Sequence, residues 1–170
     1  MERSELTQEY LKTLYSYDPN SGLFTRLINR GKFKAGEIAG RQHTDSKGMT
    51  YVKIKISGKE YFAHRLIWFY MYGVWPEKEI DHIDHNTINN KISNLRSVSA
   101  SENRKNISKS KKNTSGVVGV LFLTRERKWS ARIQVNCKNI YLGTYACKQD
   151  AIKARKSAEK KYDFHPNHGT

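Results

Sequence analysis

Cysteine, proline and long apolar runs are what this 170-residue chain has least of. Its two cysteines, Cys137 and Cys147, form no CxxC pair and stand beside no histidine cluster, which argues against a cysteine-bound structural zinc. They are expected as two small buried or half-buried residues. No apolar stretch approaches the ~20 residues of a membrane-spanning helix. The opening MERSELTQEY lacks the charged-then-apolar order of a secretion signal. A soluble, cytoplasmic protein with no membrane partner is the expectation. Acidic residues are also scarce: sixteen stand against thirty-one Lys and Arg, a net charge of +15.

That charge is unevenly spread. Residues 1–103 hold fifteen basic and twelve acidic side chains, or +3, whereas residues 104–170 hold sixteen and four, or +12. A surplus of this size on one end points to a polyanion, with nucleic acid first, because each phosphate contact releases condensed counterions. A merely solvated basic surface is the alternative. Ten Tyr, six Phe and three Trp supply enough apolar bulk for folded cores.

The pattern along the chain predicts an α+β protein. Leu6, Tyr10, Leu11 and Leu14 recur at helical spacing before the turn at 18–22. Runs at 23–28, 51–56 and 60–63 read as strands, the last two joined by a hairpin at 57–59. HRLIWFYMYG reads as a buried helix ending at Gly73. Residues 80–83 and 95–98 read as two short strands around a polar loop, and Ser99 to Glu102 has capping-box spacing for a following helix. KNISKSKKNTS reads as a basic linker. Beyond it, three antiparallel strands at 118–123, 128–135 and 140–145 precede a helix that packs through Ala151, Ala154, Ala158 and Tyr162 and places Lys153, Arg155, Lys156, Lys160 and Lys161 elsewhere.

The stretch EIDHIDHNTINNKISN concentrates acid, imidazole and amide groups. A solvated loop can carry such letters, but they are also what metal-assisted phosphodiester hydrolysis needs. His82 can act as the base, Asp81 is a hard oxygen ligand suited to Mg²⁺ or Mn²⁺, and Asn side chains can complete the coordination or orient the imidazole. One geometric objection stands. Neighbours in a regular strand face opposite sides, so Asp81 and His82 meet one point only if the strand bends or the phosphate lies across its edge.

Residues 60–106 carry a resemblance. Tyr61-Phe62-Ala63-His64-Arg65-Leu66, Trp75-Pro76-Glu77, Asp81-His82-Ile83-Asp84, Asn89-Asn90-Lys91-Ile92-Ser93-Asn94-Leu95-Arg96 and Glu102-Asn103-Arg104-Lys105-Asn106 follow the order seen in HNH endonucleases of phages and mobile introns. The resemblance implies a ββα-metal motif at about 79–106 and one divalent metal, Mg²⁺ or Mn²⁺. It also implies His82 as general base, Asn94 positioning its imidazole, and Asp81 with Asn103 as metal ligands. Asn103 stands where the family's final His usually is, which favours oxygen-liking ions. Asp84, Asn86, Asn89 and Asn90 are read as shaping the loop. His85 occupies a position where the family usually has Gly. His64 and Arg65 are open to packing or phosphate contact. His43, His165 and His168 are expected to be solvated.

Residues 114–163 resemble the Apetala-type (ethylene-response-factor) DNA-binding domain through Ser115-Gly116, Gly119-Val120, Lys128-Trp129-Ser130-Ala131-Arg132-Ile133 and Leu142-Gly143-Thr144-Tyr145. That resemblance implies a sheet laid into the major groove. Val118 departs from the Arg usual there, so base specificity does not carry over. Strand alternation puts Lys128, Ser130, Arg132 and Gln134 on one face and Trp129, Ala131, Ile133 and Val135 on the other. The expected DNA contacts are Arg65, Arg96, Arg104, Lys109, Lys111, Lys112, Arg125, Arg127, Lys128, Arg132, Gln134, Lys138 and Tyr141.

The combined expectation is an HNH nuclease domain at 1–107, a basic linker at 108–113, an ethylene-response-factor-like domain at 114–165 and a tail at 166–170. It would be a phage-encoded, homing-type enzyme that nicks double-stranded DNA, monomeric and without an obligate protein partner. The rival readings are a non-catalytic sequence-specific DNA-binding protein and an RNA-binding protein.

Overall fold

A computed structural model describes residues 6–46, 48–110 and 112–170. The chain divides into two compact units, Met1–Ser97 and Val98–Thr170.

In the first unit, α1 (Gln8–Leu14) starts at Thr7, whose hydroxyl accepts from the Tyr10 backbone N–H. The chain then enters a hairpin of β1 (Tyr15–Asp18) and β2 (Leu23–Arg26), to which β3 (Ile38–Ala39) adds. A second antiparallel sheet has β4 (Arg41–Thr44), β5 (Thr50–Ile56) and β6 (Lys59–Phe62). Positive φ at Ser57 and Gly58 makes the tight β5–β6 turn that matches strand twist. Alternation along β5 buries Ile54 and Ile56 and leaves Lys53 and Lys55 outside. Against that inner face packs α2 (Ala63–Tyr72), which stops at Gly73 in the left-handed conformation, as the sequence predicts. Leu11, Leu66 and Ile67 are fully buried in this core, at about 1.5–3 kcal/mol of transfer free energy each.

The core carries a two-stranded sheet, β7 (Glu79–His82) with β8 (Leu95–Val98), and a 3-10 turn, Ile92–Asn94, leads into β8. The β1–β2 hairpin buttresses the intervening loop. Tyr17 donates its hydroxyl to the Asn90 carbonyl at 3.0 Å and accepts from the Ile92 N–H at 2.9 Å. Gly22, at φ +75, lies so close that a Cβ would meet Lys91 N at 2.5 Å.

In the second unit, Ser99 and Glu102 form the expected capping box of α3 (Ala100–Arg104). The sheet order is β11-β10-β9, with β9 (Val120–Leu123), β10 (Lys128–Val135) and β11 (Lys138–Tyr145), and α4 (Lys148–Lys161) packs on it. Val120, Ala131 and Ala151 form its small core, with Trp129 packed against them.

Several expectations change here. Arg155 is 2% exposed rather than solvated, because α4 turns it inward onto the Arg132 carbonyl at 2.7 Å, Glu159 at 2.9 Å and His168 at 2.9 Å. His168 is therefore buried, and His165 donates its backbone N–H to the Lys105 carbonyl. Residues 105–109 are no free linker. The tail pairs along them through Gly169 N–H to Ile107 O and Lys109 N–H to Thr170 O, and α3 and this segment fall in the second unit instead of the first. Ser130 is buried although its neighbours in alternation are exposed, and the β10–β11 register shifts just beyond it, between Ala131 and Arg132. Cys137 and Cys147 are both exposed, one in the β10–β11 turn and one at the α4 N-cap.

Removing the Tyr17 hydroxyl strands a carbonyl and an N–H, so Tyr17→Phe lowers stability by about 1–3 kcal/mol in urea unfolding. Gly22→Ala costs at least as much, since it adds backbone overlap to a strained φ. Unchanged unfolding midpoints in both variants would show that the hairpin does not support the loop.

Candidate active site

His82 ends β7 and is only 5% exposed. Its Nε2 shares a 3.2 Å hydrogen bond with Asn90 Oδ1, and Asn90, itself 2% exposed, donates from Nδ2 to the Ile88 carbonyl. The side chain of Asn94 is occupied elsewhere. Its Nδ2 donates to Asp84 Oδ1 and to the Asn89 carbonyl, both at 2.8 Å, and its Oδ1 accepts from the Asp84 N–H. The amide side chain bonded to the imidazole is thus Asn90, eight residues on, where Asn94 was expected. Asn94 acts one step back, on the loop.

Asp84 is the centre of that loop. Its carboxylate accepts from the Asn86 N–H at 2.9 Å, Asn89 Nδ2 at 2.6 Å and Asn94 Nδ2 at 2.8 Å. Burial pushes its pKa up, but these bonds outweigh burial and hold it below the ordinary carboxylate value. The loop-shaping expectation for Asp84, Asn86 and Asn89 matches this network. His85 has φ 64, and its N–H bonds to the His82 carbonyl. A side chain there costs about 1–2 kcal/mol relative to glycine.

Asp81, next to His82 in β7, bonds in another direction. Arg96 grips its Oδ2 with Nε at 3.0 Å and Nη2 at 2.8 Å. Among the described residues no three His, Cys, Asp or Glu side chains form a metal-holding group. Asp81 is a carboxylate next to His82, a donor type that suits a hard divalent ion.

Behind His82 lies His64, at the first turn of α2. The two rings meet edge to face with centroids 5.2 Å apart, and Phe62 stacks on His64 at 5.4 Å. His64 is 8% exposed and its Nδ1 is buried without a hydrogen-bond partner among the described residues. Burial first, then the charges of His82 and Arg65, lower its pKa to about 3. Burial also lowers the His82 pKa, against the opposing pull of Asn90, Asp84 and Asp81. Both rings are neutral near pH 7, the form a proton acceptor needs. Packing is the role the structure gives His64. Sequence reasoning left this His–His contact unread, although the Ala63-His64-Arg65 triplet at a helix start was its visible signal.

The expected DNA contacts fall into three groups. Arg65 donates to the Pro76 carbonyl, Arg96 holds Asp81, and Arg104 reaches Cys137 Sγ, so these three have structural partners. Lys109 lies 3.5 Å from the Gly116 carbonyl, Lys112 is exposed, and Lys111 lies outside the described residues. Arg125, Arg127, Lys128, Arg132, Gln134 and Lys138 are all exposed on the second unit's sheet and turns, and Tyr141 is 65% exposed beside Arg132 across the strands. Arg104, Arg132 and Gln134 line one cavity of about 320 Å³.

His64 gives a pH prediction. Its folded pKa lies below the ordinary 6.5, so the unfolded chain takes up the proton first and stability falls as pH drops below that value, by up to about 1.4 kcal/mol per pH unit. Between pH 6.5 and about 4.5, wild type should lose about 2 kcal/mol more than His64→Phe in urea unfolding. Parallel losses would contradict the neutral buried state of His64.

Comparison with known proteins finds a match over one part of the chain. No curated protein and no solved structure matches it. A family model described as HNH endonuclease matches residues 61–105, from Tyr61 at the end of β6 through His82 and Asn90 to Lys105 after α3, so the matched span lies in mid-chain with sixty residues before it. Over residues 61–105, about a quarter of its length, the chain is similar to HNH endonucleases.

Proposed function

We propose that the protein is a metal-dependent DNA endonuclease in which His82 takes the proton from the attacking water. The observation that carries this reading is the buried, neutral imidazole pinned by Asn90 inside the span that matches HNH endonucleases. Asp81 on β7 and Asn103 on α3 are the proposed ligands of one Mg²⁺ or Mn²⁺. When bound, such an ion neutralises charge on the scissile phosphate and the departing 3′ oxygen. Asn90 keeps the His82 ring from turning, and Asn94 and Asp84 keep the loop that bears Asn90 in place. Arg96 holds the Asp81 carboxylate in place through its Nε and Nη2.

The exposed face of β10 and β11, with Arg125, Arg127, Lys128, Arg132, Gln134, Lys138 and Tyr141, is the proposed anchor on duplex DNA. Width and charge both favour a sheet in the major groove. One active site in a monomer makes a nick the expected product. A phage-encoded homing enzyme acting in the host cytoplasm is the setting the resemblance suggests.

Supercoiled plasmid is the test. Wild type should relax it with Mg²⁺ or Mn²⁺ and not with EDTA, and His82→Ala should lose at least about 100-fold in rate while still binding DNA. Asn90→Ala should lose more than Asn94→Gln. Equal cleavage by wild type and His82→Ala would remove His82 from the chemistry, and binding without cleavage under every metal would favour a non-catalytic DNA-binding protein.

A further inference from the structure

The +3 balance of residues 1–103 conceals a strongly basic segment. Residues 26–60 alone hold nine Lys or Arg against three acidic side chains, and the surrounding stretches are net acidic. The fold gathers these charges. A groove of about 570 Å³ is lined by Arg26, Arg30, Arg41, Lys53 and Lys55, and the single carboxylate on it, Glu60, is paired with Arg41. Arg26 Cζ lies 4.2 Å from the Phe33 ring centre, and its buried Nε has no hydrogen-bond partner among the described residues. A fixed guanidinium with an unmet donor beside four more cations suits an oxygen-rich anion.

The groove runs into an outer sheet face that is cationic and aromatic together. Register pairs Arg41 with Lys53, Lys53 with Phe62, and His43 with Tyr51, so these side chains share one face. Lys53 Nζ sits 5.1 Å from the Phe62 ring centre, Tyr51 meets Phe62 at 5.5 Å, Phe62 stacks on His64 at 5.4 Å, and His64 meets His82 at 5.2 Å. These contacts link the cation of Lys53 through Phe62 to the buried His64 and His82. Phosphates answer the cations, and the sugar faces of the backbone answer Tyr51 and Phe62.

We infer that the groove and outer face of the β4–β5–β6 sheet form a second DNA-binding surface, which holds backbone phosphates through Arg30, Lys53 and Lys55 and leads the strand to His82. This inference rests on the nuclease reading for the end point of the path. It gives the Met1–Ser97 unit its own grip on DNA, in addition to the sheet of the other unit.

The test uses the full chain in a His82→Ala background, so that a duplex DNA probe stays intact, with anisotropy measured over a series of KCl concentrations. Arg30→Gln/Lys53→Gln/Lys55→Gln should lower the slope of log affinity against log salt by about 2–3, as Arg125→Gln/Arg127→Gln/Lys128→Gln should on the other unit. Lys53→Arg/Lys55→Arg should keep the slope. With His82 restored, the Gln triple should raise KM for plasmid roughly tenfold and leave kcat within about twofold. If the triple fails to melt like wild type, Lys55→Gln alone, at an exposed position, should still lower the slope by about one. An unchanged slope in a folded variant overturns the proposal, and so does an equal or larger effect on duplex RNA than on DNA. Slopes that fall as expected in a protein that cleaves under no metal leave this surface standing and overturn the nuclease reading instead.

Discussion

The carboxylate of Asp84 holds the site together. Three donors converge on it from Asn86, Asn89 and Asn94, and the loop they close carries Asn90 to the ring of His82. The same loop is fixed from behind by Tyr17 and crowded by Gly22, so a hairpin sixty to seventy residues earlier in the chain sets the position of the imidazole. Each of these bonds is worth only about 0.5–1.5 kcal/mol net, yet losing one buried partner costs more than that because its mate is left dry. A network of this kind fixes one geometry, which is what proton transfer requires.

Arginine is used in two ways. Arg96, Arg65 and Arg155 are committed inside the protein, to Asp81, to the Pro76 carbonyl and to a buried cluster with Glu159 and His168. Arg155 matters because the apolar core of its unit is small, so the polar cluster fixes α4 against β10 through the Arg132 carbonyl. Breaking such a pair by removing one partner typically costs about 3–5 kcal/mol. The exposed cations of the sheets are the remainder, and they are the ones available to phosphates.

The sequence was most legible where a local rule acts. The capping box at Ser99 and Glu102, the stop at Gly73 and the β10 strand at Lys128–Val135 all lie where pattern and turn chemistry place them. It was least legible where a residue's partner is distant. Arg155 reads as a surface cation on a helical wheel, and only the tail returning with His168 explains its burial. The lysine-rich stretch after α3 reads as a linker because strand-like pairing with residues beyond 164 leaves no trace in its own letters. Asn90 and Asn94 are chemically identical, four residues apart, and the 3-10 turn between them decides which one faces His82. The motif order located the site, and the loop geometry assigned the parts within it.

The proposed function stands or falls with Asp81 as a ligand of one divalent ion next to His82. Mn²⁺ binding to the His82→Ala chain with duplex DNA, counted by electron paramagnetic resonance, tests it most directly. One bound ion per chain, lost in Asp81→Ala, is the expected result. A bound ion that survives Asp81→Ala with unchanged affinity would contradict it.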